Sequence, residues 1–457
     1  MAETTNSHSI WERRWAPFAV MAAFALLYFL NRSPFVGFND GLSFLLSAST
    51  GWDLATNATS HFLYNNLQHL LLTVLPFLPH VLVLTSFSIL CALGTLWLVY
   101  KSGRLFTQSQ AAALLPVIVL GVSFTFWQQS EIIEVYAFNG LIFMGYLHLA
   151  LRDIVAGTRR YAMVVSALLG LGLLTHIQHI LSIPFFLVWI WGRNPLSIAK
   201  RLLAMVPWMA LGSLLFILPA VTGLNTWQSV FFESKFQDEL LGMDIRALLK
   251  GVALGLGMLA YNFLLLWIPI GRGWRRLWRE KRKTFLWLAL LGLPYLGFAM
   301  KYAVNDNHVF YLCFHFVLLL PLAIWADARD RKSFKWLFPA AFVLPILVYA
   351  ATTWMAPLVP ALRHYDEAKA YKGGVTHLLW PGKAWAKDPL ELAKALFAVN
   401  PYPNEDEAPE WNFKVAVDYL FDQKEIVLAP KESIELEDYD FEGMKPPPPP
   451  ANPDLAD

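Results

Sequence analysis

The chain has 457 residues, 56% of them hydrophobic and 15% charged, and a mean hydropathy of +0.44. One or two water-soluble domains cannot bury that much apolar surface, so the composition excludes an ordinary soluble enzyme and indicates a polytopic membrane protein embedded in a lipid bilayer. The 36 basic and 34 acidic residues leave a net charge of only +2, with no signature of a nucleic-acid partner, and none is expected.

Residues 1–14 are polar and are read as a cytoplasmic N-terminus, followed by an uncleaved signal anchor. Apolar stretches then recur over Trp15–Leu30, Val81–Tyr100, Ala111–Trp127, Ile132–Leu151, Tyr161–Leu174, Ile180–Trp191, Leu202–Val221, Gly251–Ile270, Phe285–Met300, Val309–Trp325 and Trp336–Trp354. They predict an all-α membrane protein of about eleven transmembrane helices. Arg13, Arg14, Lys101, Arg104, Arg159, Arg160, Lys200, Arg201, Arg272 to Lys283 and Arg329 to Lys335 fall in alternate loops. The opposite loops hold about four times fewer cations, so the positive-inside rule places the N-terminus in the cytoplasm and, for an odd span count, the C-terminus outside.

The outer loops carry Asp40, Asp53, Glu131, Glu134 and Asp306, and Glu233 to Asp244 reads as an amphipathic segment at the membrane face. The division predicted is 1–14 cytoplasmic, 15–355 transmembrane with a first outer loop over 32–80, 356–430 a small helical outer segment, and 431–457 an acidic, proline-rich disordered tail. Within the outer segment, Asp388 to Val399 and Trp411 to Asp422 read as two short helices. Cys91 and Cys313 both lie in apolar stretches and read as small packing residues, not as a disulfide.

The first outer loop concentrates the candidate chemistry. Asp40 follows the first span, where a carboxylate can meet both an aqueous acceptor and the headgroup of a lipid-linked donor. A hydroxyl attacking an anomeric carbon needs a base within hydrogen-bond reach; Asn39-Asp40-Gly41 reads equally well as a turn or helix cap. Glu131 and Glu134 are three apart, which predicts one face of a helix beginning at the outer boundary. A carboxylate entering a span costs roughly 2.5–3.5 kcal/mol, so Glu134 is expected to face protein or a water-filled cavity. His176 and His179 share a short break between spans: their spacing suits metal ligands on one turn, and contact with a lipid phosphate or a helix cap suits them as well. A divalent cation is therefore an open question. Asp306, His308 and Tyr311 begin the tenth span from outside, where Asp306 is a cap or lines the cavity near Asp40.

The segments Phe126-Trp127, Glu131-Ile132-Ile133-Glu134-Val135-Tyr136-Ala137-Phe138-Asn139, Gly170 to His176 and Asn305 to Leu312 resemble, in order, landmarks of the DUF2723 family. These are transmembrane protein O-mannosyltransferase-like proteins of the GT-C superfamily, and the resemblance spans roughly Trp15 to Trp354. It implies a GT-C bundle whose first outer loop carries an acidic motif and which takes a polyprenyl-phosphate sugar donor. Asp40 matches the family's Asp, but Ser43 stands where a Glu is expected; His61 and Tyr64 match a later segment, while Phe62-Leu63 replace its Pro-Pro-Gly character.

On the enzyme reading Asp40 and Glu134 are the candidate catalytic residues, Asp40 as the base, and Glu134 and Asp306 shape the cavity or hold a cation. His61, Tyr64, Glu131, His176, His179, His308 and Tyr311 are expected around the sugar or the lipid phosphate. Two functions compete: a membrane glycosyltransferase acting on an extracytoplasmic hydroxyl in a bacterial inner membrane, and a catalytically degenerate GT-C scaffold whose acidic tail docks a protein partner. Ser43 favours the second and Asp40 the first.

Overall fold

The computed structural model describes residues 10–36, 40–54, 61–192, 196–223, 245–302, 307–368, 374–382, 388–399, 419–420 and 423. Among them there is no β-strand, and a helix lies over every one of the apolar stretches. Glu233 to Asp244, most of Trp411 to Asp422 and the 431–457 tail fall outside the described residues.

The helices are α1 (Ala16–Asn31), α2 (Gly41–Thr50), α3 (Phe62–Val74), α4 (His80–Gly103), α5 (Gln110–Gly121), α6 (Phe124–Glu131), α7 (Tyr136–Ala156), α8 (Ala162–Thr175), α9 (Ile183–Trp191) and α10 (Ile198–Thr222). Then come α11 (Ile245–Phe263), α12 (Trp267–Glu280), α13 (Arg282–Lys301), α14 (Leu312–Leu319), α15 (Leu322–Asp327), α16 (Phe334–Met355), α17 (Pro360–Ala368), α18 (Gly374–Leu379) and α19 (Pro389–Val399). By length and composition five helical stretches can cross a membrane on their own, or up to seven if two bent pairs each count as one span. The remaining apolar stretches form shorter or less apolar helices, so the figure of eleven full spans is larger than this measure supports.

Local chemistry sets several boundaries. Ser109 caps α5 by accepting the Ala112 N–H at 3.0 Å, and Gly157, at φ 68°, ends α7 in the left-handed conformation a side chain disfavours. The loop after α1, over 32–80, is largely helical: α2 and α3 occupy most of 41–74.

The pair α5 and α6 forms a span broken by 70°. A break inside a bilayer exposes backbone groups that lipid cannot satisfy. Here neighbouring helices supply the partners. Tyr28 Oη donates to the Gly121 carbonyl at 2.7 Å, Tyr349 Oη accepts the Phe124 N–H at 2.9 Å, and Asn262 Oδ1 accepts the Thr125 N–H at 2.9 Å. The break turns α6 across the bundle and buries its polar residues Thr125, Gln128, Gln129, Ser130 and Glu131.

Small residues bring helices close, as membrane bundles require. A Cβ on Gly170 of α8 would stand 2.7 Å from Leu211 Cβ of α10, and one on Gly140 of α7 would stand 2.9 Å from Phe316 Cζ of α14. At the end of the bundle that carries the N-terminus, the Glu12 carboxylate accepts the Ser109 hydroxyl at 2.5 Å and the Gln110 N–H at 3.0 Å. Thr107 donates to Asp327 beside it. Helix α4, 24 residues long, separates this end from the 32–80 loop by about 36 Å.

Candidate active site

Asp40 occupies the N-cap of α2, and its backbone N–H donates to Glu134 Oε1 at 3.2 Å across 94 residues of sequence. The second oxygen of Glu134 accepts the Val135 N–H at 3.0 Å. Glu134 is 4% exposed, so peptide N–H groups replace the water that its charge would otherwise hold. This pairing fixes the start of α2 against the turn between α6 and α7.

One helical turn beyond Asp40, the Phe44 ring meets His61 at 5.5 Å and Tyr64 at 5.0 Å between centroids. His61 precedes α3, and its Nδ1 donates to the Thr175 carbonyl at 2.9 Å. His176 ends α8 in an extended conformation, φ −157° and ψ 123°, and its Nδ1 accepts the Gln178 N–H at 3.1 Å. The two imidazoles lie 5.0 Å apart. Tyr136 and Phe310 flank His176 at 5.6 and 6.0 Å, and Gln178 Nε2 donates to the Phe310 carbonyl at 2.8 Å. Four breaks in the helical pattern, before α2, before α3, before α7 and after α8, thus converge with the 3-10 turn at Phe310.

Burial, and after it the negative charge of Glu134, pushes the Tyr64 phenol well above its ordinary range. Tyr64 therefore lies within the electrostatic field of Glu134. Burial lowers the His61 imidazole below its ordinary value, opposed in part by its bond to the Thr175 carbonyl. The site thus holds the buried Glu134 carboxylate, bonded to the Asp40 N–H, near an imidazole that burial favours in its neutral form, walled by aromatic rings.

Other candidate residues stand elsewhere. Glu131 and Glu134 do not share a helical face: Glu131 is the last residue of α6, Ile132 is extended at φ −115° and ψ 165°, and α7 starts only at Tyr136. Glu131, 1% exposed, accepts the Trp127 indole N–H. His176 and His179 part company as well, because the chain turns between them. His179 Nδ1 lies 3.0 Å from Tyr146 Oη in a network with Ser182 and Tyr295 inside the bundle. His308 Nε2 lies 3.0 Å from Gln128 Oε1. Tyr311 is fully buried, its ring 6.3 Å from that of His315. Asp306 lies outside the described residues. Among the described residues, no three or more His, Cys, Asp or Glu side chains gather as a metal ion would need.

Phe44, Tyr136, Gln178 and Phe310 complete the cluster without having stood out in the sequence. Phe44 is one turn from Asp40 and Tyr136 two residues from Glu134, so proximity to the carboxylates is the signal that could have found them. The segment after α16 also reaches the site's flank. Gln128 Nε2 donates to the His377 carbonyl at 3.3 Å, Tyr261 Oη donates to the Leu379 carbonyl at 2.8 Å, and the Trp127 and Trp380 rings lie 6.2 Å apart.

The architecture is that of an all-helical, multi-pass integral membrane protein that shares its fold with the solved structures named next. Among solved structures, the chain is similar to ArnT from Cupriavidus metallidurans in the apo state, with a TM-score of 0.56 at 13% identity, covering 83% of this chain and 68% of that one. It is similar also to ArnT from the same organism bound to undecaprenyl phosphate, with a TM-score of 0.54 at 14% identity, covering 90% and 73%. Arabinofuranosyltransferase AftD from Mycobacteria gives 0.48 at 13% identity, over 74% of this chain and 26% of that one. No protein-family model matches the sequence, and no curated protein matches it.

Proposed function

We propose that this chain is a membrane glycosyltransferase that moves a sugar from a polyprenyl-phosphate donor to a hydroxyl acceptor outside the cytoplasm. The observation that carries the reading is the bond from the Asp40 N–H to Glu134 Oε1, which ties the residue bearing the loop carboxylate to a buried glutamate in a GT-C-like fold. In this reading the acceptor O–H donates to the Asp40 carboxylate. As its oxygen attacks the anomeric carbon, the bond from that carbon to the phosphate oxygen breaks, the phosphate departs with the electron pair, and Asp40 keeps the proton.

Glu134 is a positioning residue. Its oxygens anchor the turn that presents Asp40, and its charge favours the positive character that develops on the sugar. The family that the sequence resembles has a Glu near Ser43; here Glu134, from the turn before α7, brings a carboxylate to the N-terminus of the same helix α2. Kinship with DUF2723, residence in a bacterial inner membrane and a cytoplasmic N-terminus belong to the same proposal. The ArnT structure bound to undecaprenyl phosphate supports that lipid as the carrier.

The test is to reconstitute the purified chain in liposomes with radiolabelled undecaprenyl-phosphate mannose or glucose, then count label in the lipid and water-soluble fractions. Donor consumption above protein-free liposomes is expected. No consumption with any of several donor sugars, and with protein shown to be folded, contradicts the reading.

A further inference from the structure

The two imidazoles at the centre of the cluster have opposite tautomers, and their backbone partners fix both. A carbonyl oxygen only accepts, so the Nδ1 of His61 that faces the Thr175 carbonyl at 2.9 Å carries a hydrogen. A backbone N–H only donates, so the Nδ1 of His176 that receives the Gln178 N–H at 3.1 Å carries a lone pair. His176 therefore bears its proton on Nε2. In neutral His61 that atom is a bare acceptor.

The pair thus offers one acceptor and one donor from rings 5.0 Å apart. The oxygens of a phosphodiester only accept at neutral pH, so the His61 Nε2 lone pair repels them. A hydroxyl both donates and accepts, so in chemistry it suits both the acceptor and the donor. The surroundings agree with such a ligand. Tyr136, Phe310 and Phe44 put aromatic rings around the pair, as the apolar faces of a sugar ring favour, and the Asp40 to Glu134 link ties the start of the same α2 that carries Phe44.

We propose that His61 and His176 together read a neutral hydroxyl group, of the donor's sugar or of the acceptor, and do not grip the lipid phosphate. This rests on the glycosyltransferase reading above and narrows it: the imidazole pair becomes the place where a sugar, or a hydroxyl acceptor, is told apart from a bare lipid. Burial, which keeps His61 below its ordinary range, holds it in the acceptor form at pH 7.

The test uses His61→Asn and His176→Asn in the full-length chain. In the first, an amide N–H takes over the bond to the Thr175 carbonyl; in the second, an amide oxygen takes over the bond from Gln178 two residues on, a geometry asparagine favours. Each keeps the fold contact and removes Nε2. Binding is measured in nanodiscs with three probes: undecaprenyl phosphate, its mannosyl or glucosyl form, and methyl α-mannoside added to protein saturated with the bare lipid. The bare lipid should bind each variant within about twofold of wild type. If the hydroxyl belongs to the donor, the glycolipid weakens by about three- to tenfold per variant, the worth of one neutral hydrogen bond. If it belongs to the acceptor, the same loss appears with the methyl glycoside.

Loss of bare-lipid binding in the variants overturns the proposal in favour of a phosphate grip. Unchanged binding of all three probes overturns it as well. A wild-type chain that binds no polyprenyl lipid sinks the glycosyltransferase reading itself, a result distinct from the other two.

Discussion

Replacing Glu134 by Gln tests how the Asp40 turn is held. Glu134 Oε1 accepts the Asp40 N–H at 3.2 Å and Oε2 accepts the Val135 N–H at 3.0 Å. Gln keeps the shape but turns one oxygen into an NH2 group, which sets donor against donor at one position and leaves a neutral acceptor at the other. Hydrogen bonds to a charged group are worth about 1.5–3 kcal/mol each, and neutral ones about 1 kcal/mol. The change therefore removes about 2–3 kcal/mol of the ordering of the Asp40 turn, with the carboxylate 4% exposed and unable to recruit water freely. Each 1.4 kcal/mol is tenfold in an equilibrium, so the amides of Asp40 to Phe44 should exchange about 30-fold to 100-fold faster in hydrogen–deuterium exchange while α4 and α7 stay protected. Unchanged exchange in Glu134→Gln would refute the idea that Glu134 fixes the start of α2.

Three further outcomes follow from the same geometry. Gly170→Val puts a side chain where even a Cβ stands 2.7 Å from Leu211 Cβ and 3.0 Å from Trp208 Cα, whereas Gly257 has nothing within 4 Å. Thermal inactivation should show Gly170→Val weaker by about 1–3 kcal/mol and Gly257→Ala neutral or slightly stabilised; equal behaviour would contradict the close α8 to α10 contact. Tyr261→Phe removes the bond to the Leu379 carbonyl, 2.8 Å long, worth about 1 kcal/mol. Limited proteolysis should then cut near residues 374–382 several-fold faster. The third concerns pH. The ordinary imidazole value is 6.5 and burial lowers it in His61, with His176, Tyr64 and the Glu134 charge the titratable groups nearby. Protonation turns the His61 acceptor into a donor only as pH falls through this lowered value, so glycolipid affinity should be flat from about pH 8 to about pH 6.5 and fall below that. The linkage has the same sign: the unfolded chain takes the proton first, so stability from neutral His61 is complete above 6.5 and is lost as pH falls toward the folded value. An affinity already halved at pH 6.5 would show an ordinary, exposed imidazole.

The membrane class and the helices over the apolar stretches were legible, because long apolar stretches between charged loops have few alternatives in a bilayer; α2 and α3 in the 32–80 loop, and α17 and α18, were not. The breaks were not. The Ala111–Trp127 stretch reads as one span, yet Ser123 is extended and α6 turns by 70°, since Tyr28, Tyr349 and Asn262 from distant helices satisfy the freed backbone. The same applies to Gly251–Ile270, where α11 ends at Phe263, Leu264 takes a positive φ of 44°, and α12 leaves at 97°. Spacing put Glu131 and Glu134 on one helical face because nothing local announces that Asp40, 94 residues away, captures Glu134 and holds the chain out of the helix. His176 was visible as a histidine in a break between spans, and His61 through the resemblance of its loop segment. Their proton positions were not, because these depend on the Thr175 carbonyl and the Gln178 N–H. A sequence shows which residues are scarce and polar in an apolar chain; which of them meet depends on partners that only the fold brings together.

Asp40→Asn tests the central claim most directly. The substitution keeps the size of the side chain and leaves the backbone N–H that bonds Glu134, so the variant should purify and melt like wild type. It removes the base. Turnover of a radiolabelled undecaprenyl-phosphate sugar by reconstituted protein should fall by about a hundredfold or more, the usual worth of a positioned base, with donor binding retained. Turnover within twofold of wild type in a folded Asp40→Asn protein would contradict the account.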